Sequence, residues 1–192
     1  METITLTVNT TVDENDGSNS GTGLSLRDAV IIVWQSPPEN QYIIELQGES
    51  TYSLNLNGND INGGDLDLFN NLTIRGVGNE PAIIDGSGLT QSDRVLEIWQ
   101  NANVTLENLR ISGGAANIGG GIFAGVNTTV NLTNSEVSNN QSSREGGGIY
   151  SESTAFQIVD SRISGNFHNS CAIANSSTHN IPNRTAGIME RV

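Results

Sequence analysis

One pattern occurs three times in the second half of the chain, with a fixed period of 26 positions. Its copies begin at Val104, Val130 and Phe156, and each alternates apolar with polar residues before reaching a serine. The segments between copies repeat as well, as Gly-Gly-Ile-Phe at 120–123 and Gly-Gly-Ile-Tyr at 147–150. A fixed period of this length indicates stacked supersecondary units that share one continuous core.

The apolar alternation inside each copy identifies strands. In the first copy the apolar side changes parity between Leu106 and Leu109, so the chain must turn a corner near Asn108. Asparagine tolerates the left-handed backbone that such a corner often needs, and the next copies place Asn134 and Asp160 there. Short strands joined by corners, with about 26 residues a circuit, predict an all-β parallel β-helix whose coils lie about 4.8 Å apart.

Stacked coils should place equivalent side chains in files along the axis. The predicted inner files are apolar: Val104, Val130 and Phe156; Leu106, Leu132 and Ile158; Ile111, Val137 and Ile163. One outward file, Arg110, Glu136 and Arg162, alternates in charge, so neighbouring coils attract each other there. We interpret this file as a ladder of surface ion pairs. The alternative is that one of its arginines has a functional role.

One helix is predicted, ahead of the coils. Ser25 and Asp28 form a pattern typical of a capping box, an apolar face runs to Trp34, and Pro37-Pro38 ends the segment. Placed before the first coil, this α-helix is expected to cap the open end of the solenoid. We divide one structural domain into three parts: residues 1–40 (strand, loop and capping helix), 41–166 (coils) and 167–192 (degenerate coil or tail).

Composition and charge limit the function classes. Only 15% of the 192 residues are charged and 5% are aromatic, with 22 glycines, which is typical of a turn-rich all-β solenoid. The formal net charge of −13 opposes nucleic acid and anionic membranes as partners and favours cations, calcium included. Cys171 is the single cysteine, so no intrachain disulfide is expected. No segment is apolar enough to insert into a membrane, and Met1 opens no signal peptide, so we expect an intracellular chain or one whose signal was removed.

The order of several motifs resembles bacterial proteins that carry the CSLREA domain. These motifs are Asn9–Asp13, Leu24–Val30, Gly64–Leu68, Leu72–Gly76, Ile83–Gly86 and Arg94-Val95. The segments ending at Tyr150 and Asn166 resemble that family's repeats and those of chlamydial polymorphic outer-membrane proteins. The resemblance implies a right-handed β-helix, usually part of a longer secreted or surface-attached protein, with no established reaction. Leu24 stands where the signature usually has cysteine.

The acidic residues offer two kinds of candidate site, a catalytic one and a calcium-binding one, and each has an ordinary structural alternative. β-Helix polysaccharide lyases and glycoside hydrolases need paired carboxylates or a base, for which the weak catalytic candidates are Asp85, Asp160 and Arg162. Because Asp160 occupies the corner position, it is interpreted first as structural. The calcium candidates are Asp13, Asn15 and Asp16 in one loop and Asp65 and Asp67 on one strand face, against the alternative of turn chemistry and solvated carboxylates. No other cofactor is expected.

The main functional hypothesis is a non-catalytic secreted or cell-surface module that acts as a stalk, an adhesin or a carbohydrate-contacting domain. Its partners would be glycans or surface proteins, and Trp99, Phe123 and Tyr150 would supply aromatic rings if they face outward. The alternatives are a polysaccharide lyase or glycoside hydrolase, and a fragment of a larger surface protein with no isolated function.

Overall fold

The structure is a computed structural model that describes residues 1–17, 21–90, 92–152, 155–167, 173–175 and 184–185. Within these residues the regular structure is almost entirely short strands. The elements in chain order are β1 (Thr3–Thr7), α1 (Leu26–Trp34), β2 (Gln41–Gln47), β3 (Thr51–Ser53), β4 (Leu66–Leu68), β5 (Asn71–Val77), β6 (Ala82–Asp85), β7 (Leu96–Ile98), β8 (Asn103–Glu107), β9 (Leu109–Ser112), β10 (Ala115–Ile118), β11 (Ile122–Ala124), β12 (Thr129–Thr133), β13 (Glu136–Ser138), β14 (Gln141–Glu145), β15 (Ile149–Ser151), β16 (Ala155–Val159), β17 (Arg162–Ser164), β18 (Ile173–Asn175) and β19 (Arg184–Thr185).

Strands from successive circuits pair in parallel and build three sheets. Sheet A has the order β1-β2-β5-β8-β12-β16-β19, sheet B the order β17-β13-β9-β6-β3, and sheet C the order β18-β15-β11-β7-β4. A short pair, β10 and β14, lies beside them. Because each strand bonds to the equivalent strand one circuit away, the chain is a parallel β-helix. The predicted fold class is therefore confirmed.

The register confirms the predicted inner files. Leu132 pairs with Leu106 on one side and Ile158 on the other, and Val137 pairs with Ile111 and Ile163 in the same way. Leu106, Leu132 and Val137 have no solvent exposure. The repeated apolar columns thus form the continuous core that removes apolar surface from water, the dominant favourable term in folding.

The corner file also behaves as the sequence predicts. Asn108, Asn134 and Asp160 have φ angles of 53°, 45° and 48°, in the left-handed region. The Asn134 side-chain amide donates to Asn108 Oδ1 at 3.1 Å, and the Asn108 amide donates to the carbonyl of Gly76 at 3.0 Å. Asparagine therefore serves two purposes here, since it accepts the backbone strain and also links successive coils.

Helix α1 caps the first coil. It begins after Ser25, whose hydroxyl accepts from the Asp28 backbone in the predicted capping box, and it packs against β2 and β4. Its Arg27 is fully buried and pairs with Asp13 at 2.8 Å. The same guanidinium donates to the carbonyls of Gly64 and Asp65 at 2.8 and 3.1 Å. The cap is thus held to the chain immediately before β4.

At the other end, part of the predicted tail continues the stack. Strand β18 pairs with β15 and strand β19 with β16, both in parallel. The rest of 168–192 lies outside the described residues. The helix in the described part of the chain has nine residues, too few to cross a membrane.

Candidate functional site

The outward face of sheet C changes its chemistry along the stack. One outward file runs from Asp67 on β4 through Glu97 on β7 to Phe123 on β11 and Tyr150 on β15, by backbone register. Two carboxylates are thus followed by two aromatic rings. This change along the stack, absent from the apolar inner files, marks the face as a candidate site.

Three aromatic side chains form a row beside these carboxylates. Phe69 and Trp99 each follow the end of a paired strand, and their rings stack with centroids 5.3 Å apart and planes 19° apart. Trp34, the last residue of α1, lies against Phe69 with a centroid distance of 6.2 Å. Trp34 and Trp99 remain 46% and 42% exposed. The row therefore presents flat apolar surface to solvent.

A groove of about 590 Å³ runs along this aromatic row. Besides the three rings, it is lined by charged side chains: Asp60, Asp65, Asp67, Asp93, Arg94 and Glu97. Five carboxylates thus face one guanidinium within the same groove. A concave surface that combines aromatic rings with a few convergent polar groups is the usual form of a ligand site.

Three of the carboxylates are close enough to act together. One carboxylate oxygen from each of Asp65, Asp67 and Glu97 lies within 4.8 Å of the others. The Trp99 indole N–H donates to Asp67 Oδ1 at 2.8 Å, which fixes the ring at the edge of the groove. Arg94 Nη1 donates to Glu97 Oε2 and lies 3.6 Å from Asp65 Oδ2.

Burial and mutual repulsion raise the pKa of each of these acids. The pKa of Asp65 rises to about 8, chiefly because the carboxyl is buried and then because Asp93 and Asp67 repel its negative form. Burial also raises the pKa of Asp67 and of Glu97, against the opposing attraction of Arg94. Carboxyl groups perturbed in this way concentrate at functional sites.

The N-terminal cap positions the backbone that carries Asp65. Arg27 holds the carbonyls of Gly64 and Asp65, and the Asp65 backbone N–H donates to Asp93 Oδ2 at 3.1 Å. Gly64 has φ +86°, and a Cβ there would lie 2.6 Å from both Asp93 Oδ2 and the Gly58 carbonyl. Glycine is thus required for this backbone conformation and for the approach of Asp93.

The three aromatic residues predicted to contact ligand lie along this face. Trp99 belongs to the aromatic row, while Phe123 and Tyr150 stack on each other with centroids 5.7 Å apart. The Arg94 guanidinium lies 5.0 Å from the centre of the Phe123 ring. Arg94 therefore joins the aromatic pair to the acidic part of the face.

The calcium candidates separate into two groups. Asp65 and Asp67 lie in the carboxylate cluster. Asp13, by contrast, is buried against Arg27, and its Oδ2 accepts the backbone N–H groups of residues 55 and 56 at 2.7 and 2.9 Å. Asn15 donates its amide to the carbonyl of residue 62 at 2.6 Å, and Asp16 lies exposed in the same loop. The loop and the strand thus do not form one shared site.

The structure separates Asp85 from the other two catalytic candidates. Asp85 accepts the backbone N–H and hydroxyl of Ser87 at 3.1 and 2.7 Å, in an ordinary turn. Asp160 and Arg162 line a second groove of about 540 Å³ along the corner between sheets A and B. Strand β6, which ends at Asp85, is three strands from β17, which begins at Arg162, a distance of about 14 Å at the spacing of neighbouring strands.

Sequence reasoning missed part of the site: Trp34, Phe69, Asp93, Arg94 and Glu97. The signal was the longer period of the early coils. Glu97 follows Asp67 by 30 positions, and Trp99 follows Phe69 by the same 30, whereas the later repeats are 26 apart. Aligning the first coils at 30 would have paired the two acids and the two rings.

The chain matches no family model, no curated protein and no solved structure.

Proposed function

We propose that the protein is a non-catalytic β-helix module of a secreted or cell-surface protein, and that it binds carbohydrate in the groove on sheet C. The observation that carries the proposal is the exposed row of Trp34, Phe69 and Trp99 beside the carboxylates of Asp67 and Glu97. The surface setting is supported by the motif order that resembles CSLREA-domain proteins, and kinship with that family is part of the same proposal.

Sugars match this arrangement because a pyranose ring has an apolar face of C–H groups and a rim of hydroxyls. A flat indole covers the apolar face, and carboxylates accept hydrogen bonds from the hydroxyls. The Asp67 carboxylate already holds the Trp99 indole at 2.8 Å, so the ring is oriented before a ligand arrives. Preorganisation of this kind lowers the entropy cost of binding.

The net charge narrows the class of ligand. With a formal charge of −13 and several acids lining the groove, the module should favour neutral or cation-accompanied glycans over nucleic acids and free polyanions. Where the partner is a surface protein, the module would bind the glycans attached to that protein. A module that acts only as a stalk would have the same fold but would not use the groove.

The test is a glycan array followed by tryptophan fluorescence with each positive glycan. Trp34 and Trp99 are the two tryptophans of the chain, and both line the groove, so emission reports occupancy directly. Replacing a central aromatic contact typically costs about 1–3 kcal/mol, so Trp99→Ala should weaken binding about 5–150-fold. The matched control is Phe167→Ala, which removes an aromatic ring that is 67% exposed elsewhere.

Binding that shifts the emission maximum and is lost in Trp99→Ala, but not in Phe167→Ala, would support the proposal. Silence on the array, or equal losses in both variants, would overturn it. Silence combined with normal folding would favour the alternative of a fragment whose function needs the rest of a larger surface protein.

A glycoside hydrolase or polysaccharide lyase is the second candidate, favoured by one observation. Asp65, with its pKa raised to about 8, is protonated at neutral pH, and Glu97 offers a second carboxylate in the same cluster. One oxygen of each lies within 4.8 Å of the other, which is compatible with the roughly 5 Å between the carboxyl groups of retaining glycosidases. An assay for new reducing ends or unsaturated uronates, with Asp65→Asn as the inactive variant, would detect this activity; release of product by the wild-type protein would contradict the non-catalytic proposal.

A further inference from the structure

We propose that Asp65, Asp67 and Glu97 bind a divalent cation of the size of calcium. This inference is independent of the proposed glycan function, because it concerns the ion alone and is tested without any saccharide. The ligand here is a metal ion, whereas the proposed function concerns a saccharide.

The distances between the carboxylates fit one shared ion. One oxygen from each of the three side chains lies within 4.8 Å of the others. Calcium binds oxygen at about 2.3–2.6 Å, so two of its ligands can be at most about 4.6–5.2 Å apart. The 4.8 Å limit lies within the range that calcium accepts, so the cluster suits calcium without rearrangement. Magnesium dehydrates reluctantly and demands stricter octahedral geometry, so a cluster of three protein carboxylates suits it less well.

The second observation is a buried oxygen that has no hydrogen-bond donor. Asp65 is 6% exposed, and its Oδ2 accepts no hydrogen bond from the described residues. The nearest cation, Arg94 Nη1, lies at 3.6 Å, beyond hydrogen-bond distance, and donates to Glu97 instead. A buried polar atom left unpaired calls for an explanation, and an ion that completes the site is one.

The local charge balance points the same way. Asp65, Asp67, Asp93 and Glu97 place four carboxylates around the guanidinium of Arg94. Arg27, the other nearby cation, is already neutralised by Asp13 at 2.8 Å. A divalent ion would bring the charge of the four acids and Arg94, when all are ionised, from −3 to −1.

Each ligand can accept the ion without losing its present partner. Asp67 uses Oδ1 for the Trp99 indole, and Glu97 uses Oε2 for Arg94, so both keep a second oxygen. These partners would orient the carboxylates, as outer hydrogen bonds do in metal sites. Three carboxylates supply three to six of the six to eight oxygens that calcium takes, and water in the open groove would supply the rest.

The experiment is isothermal titration of the whole chain, stripped with EDTA, using calcium chloride and then magnesium chloride. We expect one calcium per chain with a Kd of about 10⁻⁵–10⁻³ M, and weaker or no binding of magnesium. Glu97→Gln should raise the calcium Kd at least about tenfold, because it removes one charged ligand. Tryptophan emission should change with calcium alone, since Trp99 is bonded to Asp67.

The matched control is Glu107→Gln, which removes the same charge from an exposed side chain on β8 of sheet A. Its calcium Kd should equal that of the wild type. Circular dichroism checks that each variant folds, and Asp67→Asn replaces Glu97→Gln if the latter does not. If no heat of binding is detected up to about 10 mM calcium, or if Glu107→Gln raises the calcium Kd as much as Glu97→Gln does, the proposal is overturned. Neither result would bear on the glycan site.

Discussion

The buried carboxyl of Asp65 should make the protein less stable as the pH rises, and Asp65→Asn should remove that dependence. The folded state keeps the Asp65 proton up to a pKa of about 8, whereas the unfolded chain loses it near the ordinary 3.8. Below pH 3.8 both states hold the proton. Between the two values the unfolded state is favoured progressively, and above about 8 the whole penalty is present.

The structure sets the size of the effect. The difference between about 8 and 3.8 corresponds, at about 1.36 kcal/mol per pKa unit, to an upper bound of about 6 kcal/mol. About 4 kcal/mol of this falls between pH 5 and pH 8, and relaxation of the groove or entry of water would reduce it. The groups facing Asp65 are Asp93, Asp67, Arg94 and Glu97. They remain in the variant, so the difference between the two proteins isolates Asp65.

The assay is urea unfolding at pH 5, 6, 7, 8 and 9 with EDTA present, for the wild type, Asp65→Asn and Glu107→Gln. Because Asp65→Asn also changes the donors and acceptors at this position, the informative quantity is how the difference in unfolding free energy changes with pH. We expect Asp65→Asn to gain at least about 2 kcal/mol on the wild type between pH 5 and pH 9, while Glu107→Gln follows the wild type. A constant difference across this range would refute the assignment of a buried, proton-holding carboxyl.

Two further predictions concern how the cap and the corners hold the site. Asp13→Ala should cost about 3–5 kcal/mol in urea unfolding because it leaves the charge of Arg27 buried and unpaired, and Asp13→Ala combined with Arg27→Met should recover much of that loss; equal losses in the single and double variants would contradict it. Asn108→Ala should be less stable than Asn108→Gly by about 1–2 kcal/mol, because φ of 53° strains alanine and not glycine, and equal stabilities by thermal melting would count against the left-handed corner.

The part of the fold that could be predicted from sequence is the part that repeats. Leu106, Leu132 and Ile158 recur at 26 positions, and a fixed period in sequence becomes a vertical file in the structure because each circuit adds one strand to each sheet. The left-handed corner at Asn108 followed from the same comparison, since a change of parity requires a turn. These inferences needed only alternation and spacing.

The site was harder to predict because it depends on contacts between coils of unequal length. The sequence predicts that Asp65 and Asp67 share a face, yet Arg94 and Glu97, which complete the cluster, are about 30 residues away, and the 26-residue period does not align them with it. The sequence places Trp34 at the end of the helix, and nothing in its local sequence shows that the cap brings it against Phe69. Burial, which raises the pKa of Asp65, is likewise a property of the folded groove.

The early coils, which carry the site, are longer than the later ones. Part of the extra length lies in residues 54–65 ahead of β4, which carry Asp60 in the groove, and part lies in the corner loop 78–81 between β5 and β6. Residues 86–95 ahead of β7, which carry Asp93-Arg94, are no longer than residues 139–148 ahead of β15, so that segment differs from its later equivalent in residue type and not in length. The regular later coils form a rigid support through their shared core, while the longer early coils carry the acids and the Arg94 guanidinium. Chemistry is therefore concentrated next to the cap, where Arg27 holds the backbone that a regular coil would hold by strand pairing alone.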